Sequence, residues 1–372
     1  MSQAAPLGRA PTSWGPFLWG PKKDALAFAG SAVVALALVF LGPHLEAPGG
    51  ALPAWGFVAL VIGVDVAHVW STLFRTYLDG EELRRRPVLY AATPLACFAA
   101  GVVLHATSAL TFWRVLAYVA TFHFVRQQIG WVAVYRRRAG DASLASRIID
   151  EATVYLATGY PLLEWHARGR AFAWFVEGDF VESSALVAAL PIVRVLWLVA
   201  LALYAAKAVR DGLVRGALQL GKHLVVTTTA ITWYVGIVVA TTDFAFTAAN
   251  VIVHGVPYAF LLYAYACARR DEAPTSLASR VLRFGVPGFV SLLFVIAFAE
   301  EMLWDRLAWH AHPSIFGDGR LRVGPAVLSV VVPLLAVPQA THYVLDAVLW
   351  RRRAGGAAQA RALGFESRRI SA

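Results

Sequence analysis

An all-helical, polytopic membrane bundle is the fold class predicted for this chain, and three observations predict it. Of its 372 residues 59% are hydrophobic and only 15% are charged, against about 25% charged in water-soluble domains. The apolar residues come in runs of about 18 or more, the length that carries a helix through a bilayer. Lysines and arginines gather at the ends of alternate runs, where such clusters orient helices during insertion. The net charge of +10 therefore reads as membrane orientation and not as nucleic-acid binding.

Windows of about 20 apolar residues place ten spans along the chain. The first, 25–43, follows a Pro- and Gly-rich segment without a cleavage site of the A-x-A kind, and is predicted as a permanent span. The second, 53–74, is followed by Arg84, Arg85 and Arg86; the third, 87–106, by a linker almost free of basic residues. The fourth, 112–135, ends at Arg136, Arg137 and Arg138. The fifth, 148–166, starts with acids and contains Pro161; its crossing is inferred from the charge alternation. The linker after it sets Glu177, Asp179 and Glu182 against Arg168 and Arg170. The sixth, 185–206, precedes Lys207, Arg210 and Arg215, and the seventh, 222–242, precedes a linker without Lys or Arg. The eighth, 245–267, ends at Arg269 and Arg270. The ninth, 283–304, leads into a predicted external loop, 306–322, that carries His310 and His312. The tenth, 324–350, runs into Arg351, Arg352 and Arg353.

This alternation predicts both termini in the cytoplasm. The expected organisation is a cytoplasmic N-terminal segment (1–24), one integral-membrane helical domain (25–350) and a basic cytoplasmic tail (351–372). The expected location is the inner membrane of a bacterium. No internal repeat is visible. Cys97 and Cys267 lie inside apolar runs, without the spacing of a zinc site or a disulfide framework, and are expected to be packing residues.

Function is argued from four histidines, His68, His123, His254 and His342, each inside a different apolar run. Polar, ionisable side chains are costly in a bilayer and face the bundle interior by default. Residues three, four and seven apart share a helix face. Four polar stripes follow: Asp65, His68, Thr72 and Arg75; His123, Arg126, Gln127 and Gly130; Asp243, Thr247, Asn250 and His254; Gln339, His342 and Asp346. Counting back from the next arginine at ~1.5 Å per residue puts His68 and His342 ~10 and ~13 Å deep, and His123 and His254 ~20 and ~22 Å deep.

Imidazole suits iron, copper and zinc, and carboxylates complete an oxygen-reactive iron site. The four histidines are the predicted metal ligands. Asp65 and Asp346 are candidates either for ligation or for orienting a ring by accepting its second N–H. His223, next to Lys222 at a span entrance, is a further candidate ligand or a solvated residue. Arg126, Gln127 and Arg75 fit better as catalytic hydrogen-bond donors to a substrate head group or a developing negative charge. Arg194 needs a buried counter-charge, with Asp150 and Glu151 as candidates. Glu300, Glu301, His166, His310 and His312 form either a second, external metal site or an ordinary solvated rim.

Several chemistries lack their residues. There is no D-D-x-x-D pair for magnesium diphosphate, no P-loop, no G-x-S-x-G and no C-x-x-C-H. An acyltransferase reading would use His254 with Asn250 and leave three histidines idle.

Histidines at the ends and middles of apolar helices resemble the site of histidine-rich integral-membrane non-haem iron oxygenases and desaturases, including the bacterial carotene-cleaving Brp/Blh group. The desaturase boxes H-x-x-x-H and H-x-x-H-H are absent, and the one close pair, His310 and His312, falls outside the predicted spans. The resemblance implies a membrane oxidoreductase with one or two non-haem iron ions, acting on a lipid or other apolar substrate and drawing on an electron donor. Copper or haem in place of iron, a b-type haem electron carrier, and a proton- or metal-coupled transporter remain alternatives.

Overall fold

The computed structural model describes residues 14–170, 172–216, 218–274, 276–319, 321, 323–350 and 356–365. Residues 1–13, Arg322 and Arg351 to Arg353 of the predicted tail lie outside them. Among the described residues there is no strand, only one isolated bridge between Ala47 and Ala51.

Eight helices are long and apolar enough to cross a membrane: α1 (Pro21–Leu45), α2 (Ala54–Arg75), α3 (Pro87–Thr107), α6 (Ser184–Val214), α7 (Leu220–Val239), α8 (Asp243–Glu272), α9 (Gly285–Trp309) and α10 (Pro325–Leu349). Two further helices, α4 (Ala109–Arg138) and α5 (Leu144–Arg168), have 30 and 25 residues. At ~1.5 Å per residue they are ~45 and ~37 Å long. Their length equals that of the others, but their sequences are more polar. The expected fifth segment is thus one continuous helix, with Pro161 inside it.

Local chemistry marks the starts. Ser108, Ser143 and Thr242 each accept the backbone N–H three residues on and open α4, α5 and α8, satisfying donors that a helix start leaves free. Pro87 and Pro325 sit in the first turns of α3 and α10, where the missing N–H costs nothing. The predicted loop at 306–322 is partly helical, over Asp305–Trp309 and Pro313–Phe316.

α8 is the central helix, packed along α1 and α2. Over their most apolar windows α8 is 56% buried and α6 only 11%, which makes α6 a peripheral, lipid-facing helix. The short helix Ala357–Ala362 folds back onto α8. Arg75 donates to Gln359 at 3.0 Å, and the Trp19 indole donates to the Ala362 carbonyl at 2.9 Å. Asp24 accepts the Tyr135 hydroxyl at 2.6 Å, and Arg269 pairs with Asp79. These contacts collect the arginine-rich ends of α2, α4 and α8 and the two ends of the described chain at one end of the bundle.

Candidate metal centre

The four histidines arrive on α2, α4, α8 and α10, and the structure brings them together. One nitrogen from each of His68, His123, His254 and His342 lies within 4.8 Å of all the others, and all four residues are buried. The rings form a closed circuit. Centroids are 4.7 Å apart for His68 and His254, 5.2 Å for His254 and His123, 4.7 Å for His123 and His342, and 5.1 Å for His342 and His68. Successive planes stand at 67–89° to one another. The Nε2 atoms of His68 and His254 are 3.1 Å apart.

These distances suit one ion. With metal–nitrogen bonds of ~2.1 Å, adjacent ligand nitrogens stand ~3 Å apart and opposite ones ~4.2 Å. The His68 Nδ1, His123 Nε2, His254 Nδ1 and His342 Nε2 atoms are buried with no hydrogen-bond partner. Buried nitrogens are seldom left so, and a cation at the focus satisfies those that face it.

Backbone features allow the approach. A Cβ on Gly255 would meet Val64 Cγ1 at 2.8 Å, so only glycine lets α8 close on α2 beside His254. α2 itself is irregular, with wide π-type turns over Phe57–Val66 and a tight 3-10 turn over Thr72–Arg75, on either side of His68. Such departures from the α-helix are frequent at functional sites. Phe124 stacks flat on His254, at 3.5 Å and 9°. The Tyr343 ring lies 4.7 Å from His123.

His342 is held from behind by a chain of hydroxyls. Its Nδ1 is 2.7 Å from Thr72 Oγ1, Thr72 Oγ1 is 3.1 Å from the Tyr258 oxygen, and the Tyr258 hydroxyl donates to Asp346 Oδ1 at 2.5 Å. Each hydroxyl has one proton. With the Tyr258 hydroxyl donating its hydrogen bond to Asp346, Thr72 must donate to Tyr258 and accept from His342. His342 then carries its proton on Nδ1, which leaves Nε2 unprotonated towards the other histidines.

The remaining predicted site residues are placed as follows. Asp65 Oδ1 is 3.6 Å from His68 Nδ1, beyond hydrogen-bond reach and partly exposed. Asp346 Oδ1 is 4.0 Å from His342 Nδ1 and communicates with it through Tyr258 and Thr72. Neither carboxylate belongs to the convergent set. Gln127 donates to the backbone carbonyl of His254 at 3.1 Å and ties α4 to α8 at the centre. Arg126 is turned outward and donates to the Tyr155 hydroxyl at 2.9 Å. Arg75 is buried but directed away from the histidines, to Glu82 at 3.2 Å, to Gln359 and over the Tyr265 ring. His223 meets Tyr204 at 2.7 Å, apart from the four. His166 contacts Tyr118, His312 stacks on Phe57, and Glu300 accepts the Trp70 indole at 2.5 Å. Arg194 is exposed, and Asp150 serves Lys207, Lys222 and Arg136 instead.

Thr72 and Tyr258 are the functional residues that sequence reasoning missed. Thr72 stood on the His68 stripe without a role; Tyr258, one turn after His254, gave no signal of its own. No known protein family matches the chain, and neither does any curated protein or solved structure.

Proposed function

We propose that the four histidines hold a first-row transition-metal ion, iron above all, and that the protein is a multi-pass membrane oxidoreductase acting on a lipid or another apolar substrate. The observation that supports this is the convergence of four buried imidazoles, each with a nitrogen lacking a partner. Neutral imidazoles suit iron and copper, and a bound ion there supplies one-electron chemistry towards oxygen. This chain's residues set the donor atoms: Thr72 fixes the tautomer of His342, Phe124 the plane of His254, and Gln127 the spacing of α4 and α8. The surrounding apolar helices admit an apolar substrate more readily than a charged one. Haem fits poorly, because a macrocycle between any two of these rings runs into the other two.

Metal analysis with an optical spectrum of the purified protein tests the reading. Stoichiometric iron without a Soret band is expected, lost in His123→Ala. A Soret band would establish haem. Metal content unchanged in a folded His123→Ala protein would overturn the assignment and favour a proton relay.

A further inference from the structure

Reduction of a buried centre needs a path for electrons, and one line of oxidisable side chains leads from the histidines to the arginine-rich end. The Tyr258 ring is 5.3 Å from His342, Trp350 is 6.4 Å from Tyr258, and Tyr265 is 6.4 Å from Trp350. Tyr265 lines a cleft of about 360 Å³, bounded also by Asp79, Glu81, Arg269, Glu272 and Gln359. No step between ring centroids exceeds 6.4 Å.

The proton acceptors are placed for the same task. Losing an electron makes a phenol or an indole strongly acidic, so a nearby base lowers the cost of oxidation. Asp346 Oδ1 accepts both the Tyr258 hydroxyl, at 2.5 Å, and the Trp350 indole N–H, at 3.3 Å. One carboxylate therefore serves two neighbouring rings. The Tyr265 hydroxyl donates to Asp79 at 2.8 Å. The Arg75 guanidinium lies over the Tyr265 ring, 4.7 Å from its centroid. A cation there raises the potential of Tyr265, so a hole that reaches this ring is filled the more readily by a reductant in the cleft.

We propose that Tyr265, Trp350 and Tyr258 carry single electrons from a water-soluble one-electron reductant in the cleft to the histidine centre, with Asp346 as their common proton partner. This rests on the redox reading of that centre. In the first step Tyr258 would give one electron to a strongly oxidising metal ion held by the histidines, and its phenolic proton to Asp346, becoming a neutral radical. Trp350 then returns one electron to Tyr258, which takes its proton back from Asp346. Trp350 is refilled through Tyr265, and the reductant ends one electron poorer. No net proton is consumed along the path.

The path can be tested without metal. In full-length protein with Cys97→Ser and Cys267→Ser, a ruthenium photo-oxidant attached at Ala357→Cys injects a hole at the cleft, where Ala357 is exposed. A tyrosyl radical is expected optically and by electron paramagnetic resonance. Tyr258→Phe should remove most of the long-lived signal, and Trp350→Leu should slow its appearance by at least an order of magnitude. Asp346→Asn should shorten the radical's lifetime, while Trp350→Phe, which keeps an aromatic ring, controls for loss of packing. Radical yield and rise unchanged in both Tyr258→Phe and Trp350→Leu would overturn the path. Metal content, measured on the same samples, separates the two readings. An intact radical relay in protein that binds no metal removes the oxidoreductase reading and with it the destination of the path, whereas bound metal with no relay removes the path alone.

Discussion

The Asp150 network and the histidine centre are both polar clusters inside one helical bundle, and they are satisfied in opposite ways. Asp150, fully buried, holds Lys207 at 3.0 Å, Lys222 at 3.2 Å and Arg136 at 3.4 Å, while Asp211 and Asp141 take a second contact from Lys207 and Arg136. Three cations face three carboxylates, and every charge meets its opposite inside the protein. The histidine rings meet mainly one another, with several nitrogens left over. Burial of polar atoms does not by itself mark a site. Imidazole nitrogens that converge on one point with no counter-charge do.

The largest effect that can break this contrast is Asp150→Asn. Removing one partner of a buried ion network leaves uncompensated charge and costs ~3–5 kcal/mol. A large fall in the unfolding temperature in detergent is expected, with metal content per folded chain unchanged. Loss of metal at full stability would mean that the two clusters are one functional unit. Thr72→Val sharpens the other side. It removes the acceptor that orients His342, and loss of such an outer partner typically weakens metal binding ~10–100-fold. Thr72→Ser should restore affinity, as read by competition with a chelator.

The four converging histidines were legible in the sequence because each stripe lies on one helix and needs only the 3.6-residue period. Their relative depths were not. The count from Arg75 takes it as a marker of the membrane surface, yet Arg75 is buried in the protein and paired with Glu82, so it marks no surface and the count from it fixes no depth for His68. The Thr72–Tyr258–Asp346 chain joins three helices and has no one-dimensional signature. Asp150 stands in the sequence as a candidate counter-charge for Arg194, because Lys207 and Lys222, its partners in the fold, reach it from 57 and 72 residues away. Arg126 shares a sequence stripe with His123, but 3 residues of helix turn it by about 300°, and its side chain ends on α5.

Two smaller effects probe the surroundings of the centre. At the mouth of the cleft, burial alone would raise the Asp79 carboxyl, but bonds from Arg269, Tyr265 and the Glu82 backbone outweigh it and hold the group below the ordinary carboxylate range. A lowered folded value means that Asp79 contributes stability at neutral pH and loses it on acidification below about pH 4, as the folded form takes up its proton. Asp79→Asn should flatten that part of the stability–pH curve; an unchanged curve would remove Asp79 as its source. The smallest effect belongs to Arg126→Ala. Its exposed bond to Tyr155 predicts a stability change within about 0.5 kcal/mol and no change in metal affinity. Weakened metal binding in that variant would reinstate Arg126 as a residue of the centre.

The spacing of the four histidines along the chain has a consequence for biogenesis. They span positions 68 to 342, and the helix at Ala357–Ala362 clasps Arg75 and Trp19 only after all the long helices are made. The ribosome must therefore make every long helix up to α10, and the translocon must release α10, before the last donor nitrogen arrives. Loading is thereby deferred until α10 is in place, and a chain that terminates before His342 carries an incomplete donor set however well its earlier helices insert.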